Sequence, residues 1–281
     1  MEKQWTTVIT PKRKWYDFNF KELIQYKDLV FMFVKRSFTS QYKQTVLGPL
    51  WFIINPLITS FISTIVFGSI AGIESDGVPY FLFYMCGYIL WNYFSTCVSA
   101  TSGTFTANAG IMGKVYFPRI SMPISSVIFS AVNMLVVFVM TAITMIVYNI
   151  LGTSVAPRWE AIVLVPVLMI QTALLGLGVG IIISSLTTKY RDLAILVGFG
   201  LSLWMYATPI VYPMSKVSGL LRTLILINPM SAVVNNFKYA MLGIGEFELT
   251  YWLISIGVTI VLLMGGILLF NKVEKTFMDT V

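Results

Sequence analysis

Six long stretches of this sequence contain no charged residue, at 44–73, 77–113, 120–157, 161–188, 193–215 and 249–271. Each is at least as long as the roughly 20 residues that a helix needs to cross about 30 Å of hydrocarbon. Only 11% of the residues are charged, whereas soluble domains average about 25%. The pattern predicts an all-α integral membrane protein with six transmembrane helices. We expect the spans at about 50–73, 80–101, 122–150, 161–187, 193–212 and 250–271.

The distribution of Lys and Arg predicts the orientation of these spans. Residues 1–49, the loops near 102–120 and 188–192, and the C-terminal tail together carry fifteen of the 19 basic residues. The alternate loops carry four: Arg158, Lys216, Arg222 and Lys238. Basic residues collect on the cytoplasmic side of membrane proteins. Both termini are therefore expected in the cytoplasm, and the net charge of +7 reflects this bias, not nucleic-acid binding.

The chain divides into a cytoplasmic N-terminal segment, 1–49, and a six-span transmembrane domain, 50–281 with a cytoplasmic C-terminus. Within the first segment, residues 21–38 predict an amphipathic helix that lies in the membrane interface. Gly48-Pro49 is expected to break this helix and to turn the chain into the first span. A membrane-surface anchor without a mechanical role is the alternative. The predicted apolar face consists of Leu23, Tyr26, Val30, Phe33 and Val34.

The segment between spans five and six, 213–249, contains an uncharged stretch that is too short to cross and is interrupted by Pro229. This pattern favours two short re-entrant helices that meet at Asn228-Pro229 and dip into the outer leaflet. A plain extracellular loop is the alternative.

Several kinds of chemistry are poorly supported. The sequence has no histidine, which is the commonest metal ligand and general base, and the predicted spans carry no ionisable group for proton coupling. The nearest approach to a phosphate-binding loop, 110–114, lacks the required spacing. We therefore expect no catalytic residue, metal or cofactor in this chain, and a source of energy elsewhere.

Two patterns within the spans suggest packing or substrate contact. Gly176 and Gly180 form a small-xxx-small surface for close helix packing. Aromatic residues on spans two and five offer broad apolar faces with polar edges, which suit sliding sugars. Lipid contact or ordinary helix packing is the alternative for each of them. The candidate channel residues are Tyr84, Tyr88, Trp91, Trp204 and Tyr206.

A series of short motifs, in order along nearly the whole chain, carries a family resemblance. The motifs are Arg36, Tyr42, Leu47-Gly48, Leu50-Trp51 and Pro56, then Lys114-Val115-Tyr116-Phe117-Pro118-Arg119, Lys189-Tyr190-Arg191-Asp192, Asn228-Pro229 and Leu242-Gly243. In their joint spacing they resemble the ABC-2 type permeases of polysaccharide exporters, which include the O-antigen, capsule and teichoic-acid subunits.

The resemblance implies a role for each region. Residues 21–38 would rest on a separate nucleotide-binding subunit, and residues 108–119 would include the coupling helix. Leu47 and Gly48 would form the entrance loop, and Asn228 and Pro229 the external gate. The implied coupling residues are Arg36, Gly113, Lys114, Phe117, Pro118 and Arg119.

The resemblance also implies partners and a substrate. Two copies of the chain would form a homodimer in the bacterial cytoplasmic membrane, each docked on one ATPase subunit that binds ATP and Mg. The substrate would be a lipid-linked polysaccharide, and the chain would also contact membrane lipids but no nucleic acid. The alternatives are an ABC-2 exporter of a drug or small lipid, a non-ABC flippase or scaffold, and a membrane-bound transferase that acts on lipid-linked sugars.

Overall fold

The computed structural model describes residues 20–43, 45–112, 114–153, 155–190 and 192–280, with side-chain surroundings between 23 and 274. Within these ranges the regular structure is helical throughout, which confirms the predicted all-α class. A 3-10 turn, Gly48–Leu50, precedes the helix Trp51–Ser63, and a π-helical segment, Thr64–Ile70, continues it. The α-helices are α1 Phe20–Gln25, α2 Lys27–Tyr42, α3 Trp51–Ser63, α4 Tyr80–Ser102, α5 Thr104–Met112, α6 Ser121–Ile150, α7 Leu164–Thr187, α8 Leu193–Tyr206, α9 Gly219–Ile227, α10 Pro229–Leu242 and α11 Leu249–Thr280.

Four helical stretches among the described residues are long and apolar enough to cross a membrane. They are Gly48–Ile70, Ser121–Ile150, Leu164–Thr187 and Leu249–Glu274. Helices also occupy the other two predicted spans, but α4 is less apolar and α8 has only 14 residues. Helix α8 ends at Tyr206, six residues before the predicted end of the fifth span at 212. Pro209 accounts for this early end, since proline removes a helical hydrogen bond and clashes with the preceding turn.

Helix α4 forms the centre of the chain, and glycines allow α7 to pack directly against it. An ideal Cβ at Gly176 would lie 2.8 Å from the Cβ of Cys97, and one at Gly180 would lie 2.6 Å from the Cβ of Thr101. The predicted small-residue packing surface is therefore confirmed. On another face of α7, a Cβ at Gly178 would lie 2.9 Å from the backbone nitrogen of Leu263 in α11.

The N-terminal helix differs from its predicted form in its interior and at its C-terminal end. It is broken at Tyr26 into α1 and α2, and α2 continues to Tyr42. The expectation that Gly48-Pro49 breaks the helix was wrong, because the chain is already extended at Lys43. The ring of Tyr42 packs 4.8 Å from that of Phe52 in α3, and this contact places the turn earlier. The predicted apolar face is confirmed in its centre, since Val30 and Phe33 are buried, in part against α6 and the loop that precedes it.

Candidate functional site

Four of the predicted coupling residues lie in the loop that follows α5: Lys114, Phe117, Pro118 and Arg119. Phe117 and Pro118 are buried, and the ring of Phe117 lies 5.7 Å from that of Phe33 in α2. Lys114 is exposed, and Gly113 lies outside the described residues. The loop is thus fixed to α2 by an aromatic contact while its lysine remains at the surface.

Arg119 connects the same loop to the end of α11. Its guanidinium donates a 2.6 Å hydrogen bond to the backbone oxygen of Glu274, and its Nε lies 3.8 Å from the Glu274 carboxylate. Arg36 instead lines a cleft of about 370 Å³ with Asn108 of α5 and Ser125 of α6. Of the three basic residues predicted to take part in coupling, Arg36 and Lys114 are therefore exposed at the surface, whereas Arg119 holds the end of α11 against the loop.

The predicted entrance loop contains a left-handed glycine and follows a half-buried tyrosine, Tyr42. Gly48 has a φ of +50°, and a Cβ added there would meet nothing within 4 Å. Leu47 is partly exposed and accepts a 3.1 Å backbone hydrogen bond from Leu50. The hydroxyl of Tyr42 is buried without a hydrogen-bond partner in the described part of the chain. Burial raises the pKa of Tyr42 to about 12, so this hydroxyl remains a neutral donor.

The candidate channel aromatics separate into buried and accessible groups. Tyr84 and Trp91 are buried, with 1% and 5% of their surface exposed, and pack within the chain as the packing alternative describes. Tyr88 and Trp204 are half-buried, and Tyr206 is exposed. Trp204 lies against α4, with its ring 6.5 Å from that of Trp91. Tyr88, Trp204 and Tyr206 are therefore the accessible members of the predicted set.

The predicted gate residues join three helices. Asn228 caps α10 by accepting a 3.1 Å hydrogen bond from the backbone nitrogen of Met230, and Pro229 occupies the first turn. The Asn228 amide oxygen also accepts from the indole of Trp204 at 2.8 Å, and its amide nitrogen donates to Ala207 and Thr208. The structure thus brings one gate residue and one candidate channel residue into direct contact.

A chain of hydrogen bonds extends from the start of α10, where the predicted gate residues lie, to α7 and α11. The hydroxyl of Ser255 in α11 donates to the backbone oxygen of Pro229 at 2.8 Å. Ser255 also accepts from the amide of Gln171 in α7, which accepts in turn from the indole of Trp252. The start of α10 is therefore attached to both α7 and α11.

Lys238 is a functional candidate that sequence reasoning missed, because it was counted as an external loop cation. It lies in α10 with 4% of its surface exposed. Its amine donates to the backbone oxygens of Pro209 and Ile210 at 2.8 and 3.0 Å and lies 3.4 Å from the ring centroid of Phe83. The sequence feature that could have indicated its burial is the apolar composition of 229–242 around its polar residues, since a helix that is apolar on most sides is buried.

Next to Lys238 lies a cavity of about 400 Å³, here called the external cavity. Its acidic and basic lining residues are Asp76, Arg222, Lys238, Glu246 and Glu248. Arg222 bridges the two glutamates, at 2.7 Å from Glu248 and 3.4 Å from Glu246. The hydrogen bond to Glu248 raises the pKa of Arg222, which therefore remains charged.

Two contacts join the segment 74–76 to the segment 215–216, which is distant in sequence. Ser215 donates to Asp76 at 2.6 Å, and Lys216 forms an ion pair with Glu74 at 2.7 Å. The hydrogen bond to Glu74 raises the pKa of Lys216. Asp76 has a φ of +51° and is the one non-glycine residue with a positive φ in the described ranges. Asp is among the few residues that tolerate this conformation.

The comparisons with known proteins agree with one another on the family. The sequence profile described as "ABC-2 type transporter" matches residues 28–242. Two O-antigen export system permease proteins RfbA from Klebsiella pneumoniae are each 27% identical, over 90% of this chain and 94% of their own. One from Myxococcus xanthus is 29% identical, over 78% of this chain and 82% of its own.

Proposed function

Because the chain belongs to the ABC-2 type transporter family, we propose that it is the permease subunit of an exporter of lipid-linked polysaccharide. The observation that carries the proposal is the similarity to three O-antigen export permeases over 78% to 90% of the chain. Membership in the family implies an ABC partner that hydrolyses ATP, and ATP with Mg would bind on that partner. The chain itself would form the path of the polysaccharide across the membrane.

We further propose six membrane crossings with both termini in the cytoplasm. The support for α4 as a crossing is its 23-residue length and its uncharged sequence, since about 20 residues span the hydrocarbon. Helix α8 is about 21 Å long at 1.5 Å per residue, so the chain after Tyr206 would complete the fifth crossing. Helix α9 exposes Leu220, Leu221 and Leu224, which suits a re-entrant helix in the outer leaflet.

Two copies would enclose the substrate path, because one copy leaves large apolar surfaces uncovered. Helix α8 has one buried residue, Leu201, and exposes Ile195 and Phe199. The first span exposes Phe61 and Ile62 in the same way. Lipid or a second copy must cover such surfaces, and a homodimer with one ATPase subunit on each copy would place α3 and α8 beside the path.

The structure suggests how motion of the ATPase would reach the gate. The coupling loop contacts α11 through Arg119 and Glu274, and α11 contacts the start of α10 through Ser255 and Pro229. Ser255 and Glu274 are 19 residues apart, which is about 28 Å along a helix. Displacement of the loop by ATP-driven closure of the partner would therefore shift α11 and pull on the gate.

Depletion of the chain in its native host tests the proposed substrate. Lipid-linked glycan should accumulate on the cytoplasmic side of the inner membrane while surface glycan falls, and expression of the wild-type chain from a plasmid should reverse both changes. Surface glycan should be followed by lectin or antibody labelling, and the internal pool by extraction of lipid-linked sugar. Unchanged amounts of both pools in depleted cells would contradict the proposal.

A further inference from the structure

Hydrogen-bond donors and acceptors line the external cavity together. The buried amine of Lys238 is held by the backbone oxygens of Pro209 and Ile210, and the carboxylate of Asp76 is fixed by Ser215. These groups come from separate parts of the chain, and both line the cavity of about 400 Å³. This size falls within the range of about 300–1,000 Å³ that is typical of small-molecule sites.

The balance of charge argues against an ionic ligand. An anion would face the carboxylates of Asp76, Glu246 and Glu248, and Arg222 is already paired with the two glutamates. A metal ion is also disfavoured, because the described residues contain no group of three or more His, Cys, Asp or Glu side chains placed to hold one.

A sugar matches the cavity better than either ion. Each hydroxyl of a sugar donates one hydrogen bond and accepts others, so it can use carboxylates and nitrogen donors together. Hydrogen bonds to ionised groups are the stronger ones. Asn235 adds an amide, and the half-buried ring of Tyr212 adds apolar surface, which suits the carbon face of a pyranose ring.

We propose that the external cavity binds a neutral sugar residue of the exported glycan on the outer side of the membrane. This inference rests on the export function proposed above. The source of the sugar follows from position, because α10 supplies both Asn235 in the cavity wall and the first turn capped by Asn228 at the proposed gate. A glycan that passes the gate would meet this cavity next, and the same chemistry would also admit a free sugar from outside.

Sugar binding should be measured on the full-length chain in lipid nanodiscs by saturation-transfer difference NMR. The probes are D-galactose, D-mannose and N-acetyl-D-glucosamine at millimolar concentrations. Ile244→Trp fills the cavity with a larger side chain, since Ile244 lines it. Leu249→Trp is the matched control, because Leu249 is exposed and lies outside the lining.

Asp76→Asn is a second, milder variant. Asparagine tolerates a positive φ and can still accept the hydrogen bond from Ser215. It removes the charge, so we expect about tenfold weaker binding where a neutral hydrogen bond replaces a charge-assisted one. This variant decides the question if Ile244→Trp does not fold.

At least one probe should give a signal with the wild-type chain and with Leu249→Trp, and that signal should disappear with Ile244→Trp. The absence of any signal with the wild type, or a full signal with Ile244→Trp and Asp76→Asn, would overturn the proposal.

The same variants, expressed in place of the native chain, distinguish the two sources of sugar. Loss of surface glycan with Ile244→Trp but not with Leu249→Trp, at equal amounts of chain in the membrane, would support binding of the exported glycan. Loss of probe binding with normal surface glycan would overturn that assignment and leave a site for free sugars. Failure of the export function itself would appear separately, as normal glycan pools after depletion of the wild-type chain.

Discussion

Replacement of Gly180 by alanine tests the packing of α7 against α4. A Cβ at Gly180 would lie 2.6 Å from the Cβ of Thr101 and 3.3 Å from the backbone oxygen of Val98. Thr101 is completely buried, and its Cβ is attached to the backbone, so relief of the clash requires the helices to separate. Overpacking of this kind costs about 1–3 kcal/mol.

Gly198 provides the matched control, because it lies in α8 and a Cβ there would meet nothing within 4 Å. Both substitutions exchange glycine for alanine inside a helix, which by itself gains about 1 kcal/mol. The difference between the two variants therefore isolates the steric cost. At about 2–4 °C for each kcal/mol in a chain of this size, Gly180→Ala should unfold clearly below Gly198→Ala.

Thermal unfolding of the full-length chain in detergent, followed by size-exclusion chromatography of a fluorescent fusion, would measure this difference. Thr101→Gly removes the two nearest atoms, the Cβ and Cγ2 of Thr101. Gly180→Ala should therefore cost less in that background, and a double-mutant cycle would give the coupling. Equal midpoints for Gly180→Ala and Gly198→Ala would refute the packing argument, as would the absence of coupling to Thr101.

Four further substitutions address the proposed path and its coupling. Gly48→Ala places a side chain at a φ of +50°, where L-residues lose about 1–2 kcal/mol. Surface glycan should therefore fall while the amount of the chain in the membrane stays unchanged. A normal amount of surface glycan would remove the entrance loop from the mechanism. Lys114→Glu should lower partner-stimulated ATP turnover without a change in the unfolding midpoint. Arg119→Glu should lower both quantities, because it also removes the contacts of Arg119 with Glu274. Equal effects of the two variants on the midpoint would contradict this distinction. Asn228→Ala should lower the stability of the chain by about 1 kcal/mol, because the cap of α10 is lost, and should reduce export. An unchanged unfolding midpoint and unchanged export would show that the proposed gate does not need this contact.

The stretches of sequence without charged residues predicted the positions of the long helices well. All six predicted spans contain helices, and the start of α8 at Leu193 follows directly from the last charge before it, Asp192. The close approach of Gly176 and Gly180 to α4 was also predictable, because small residues four apart lie on one face of a helix. These features depend on neighbouring residues in the sequence.

Features that depend on distant backbone groups could not be predicted. The partners of Lys238 are two backbone oxygens that lie 28 and 29 residues earlier, and no sequence pattern marks a particular carbonyl. The burial of Tyr84 and Trp91 was ambiguous for a related reason. An aromatic face on a transmembrane helix suits lipid, packing or substrate equally, and the neighbouring helices decide among them.

The most direct test of the account is ATP-dependent transfer of glycan into inverted vesicles of the cytoplasmic membrane. Vesicles from the native host, with or without the chain, should be supplied with ATP and assayed for lipid-linked glycan that becomes protected from added glycosidase. The account predicts protected glycan only when both the chain and ATP are present. Equal protection in vesicles that lack the chain, or no effect of ATP, would contradict it.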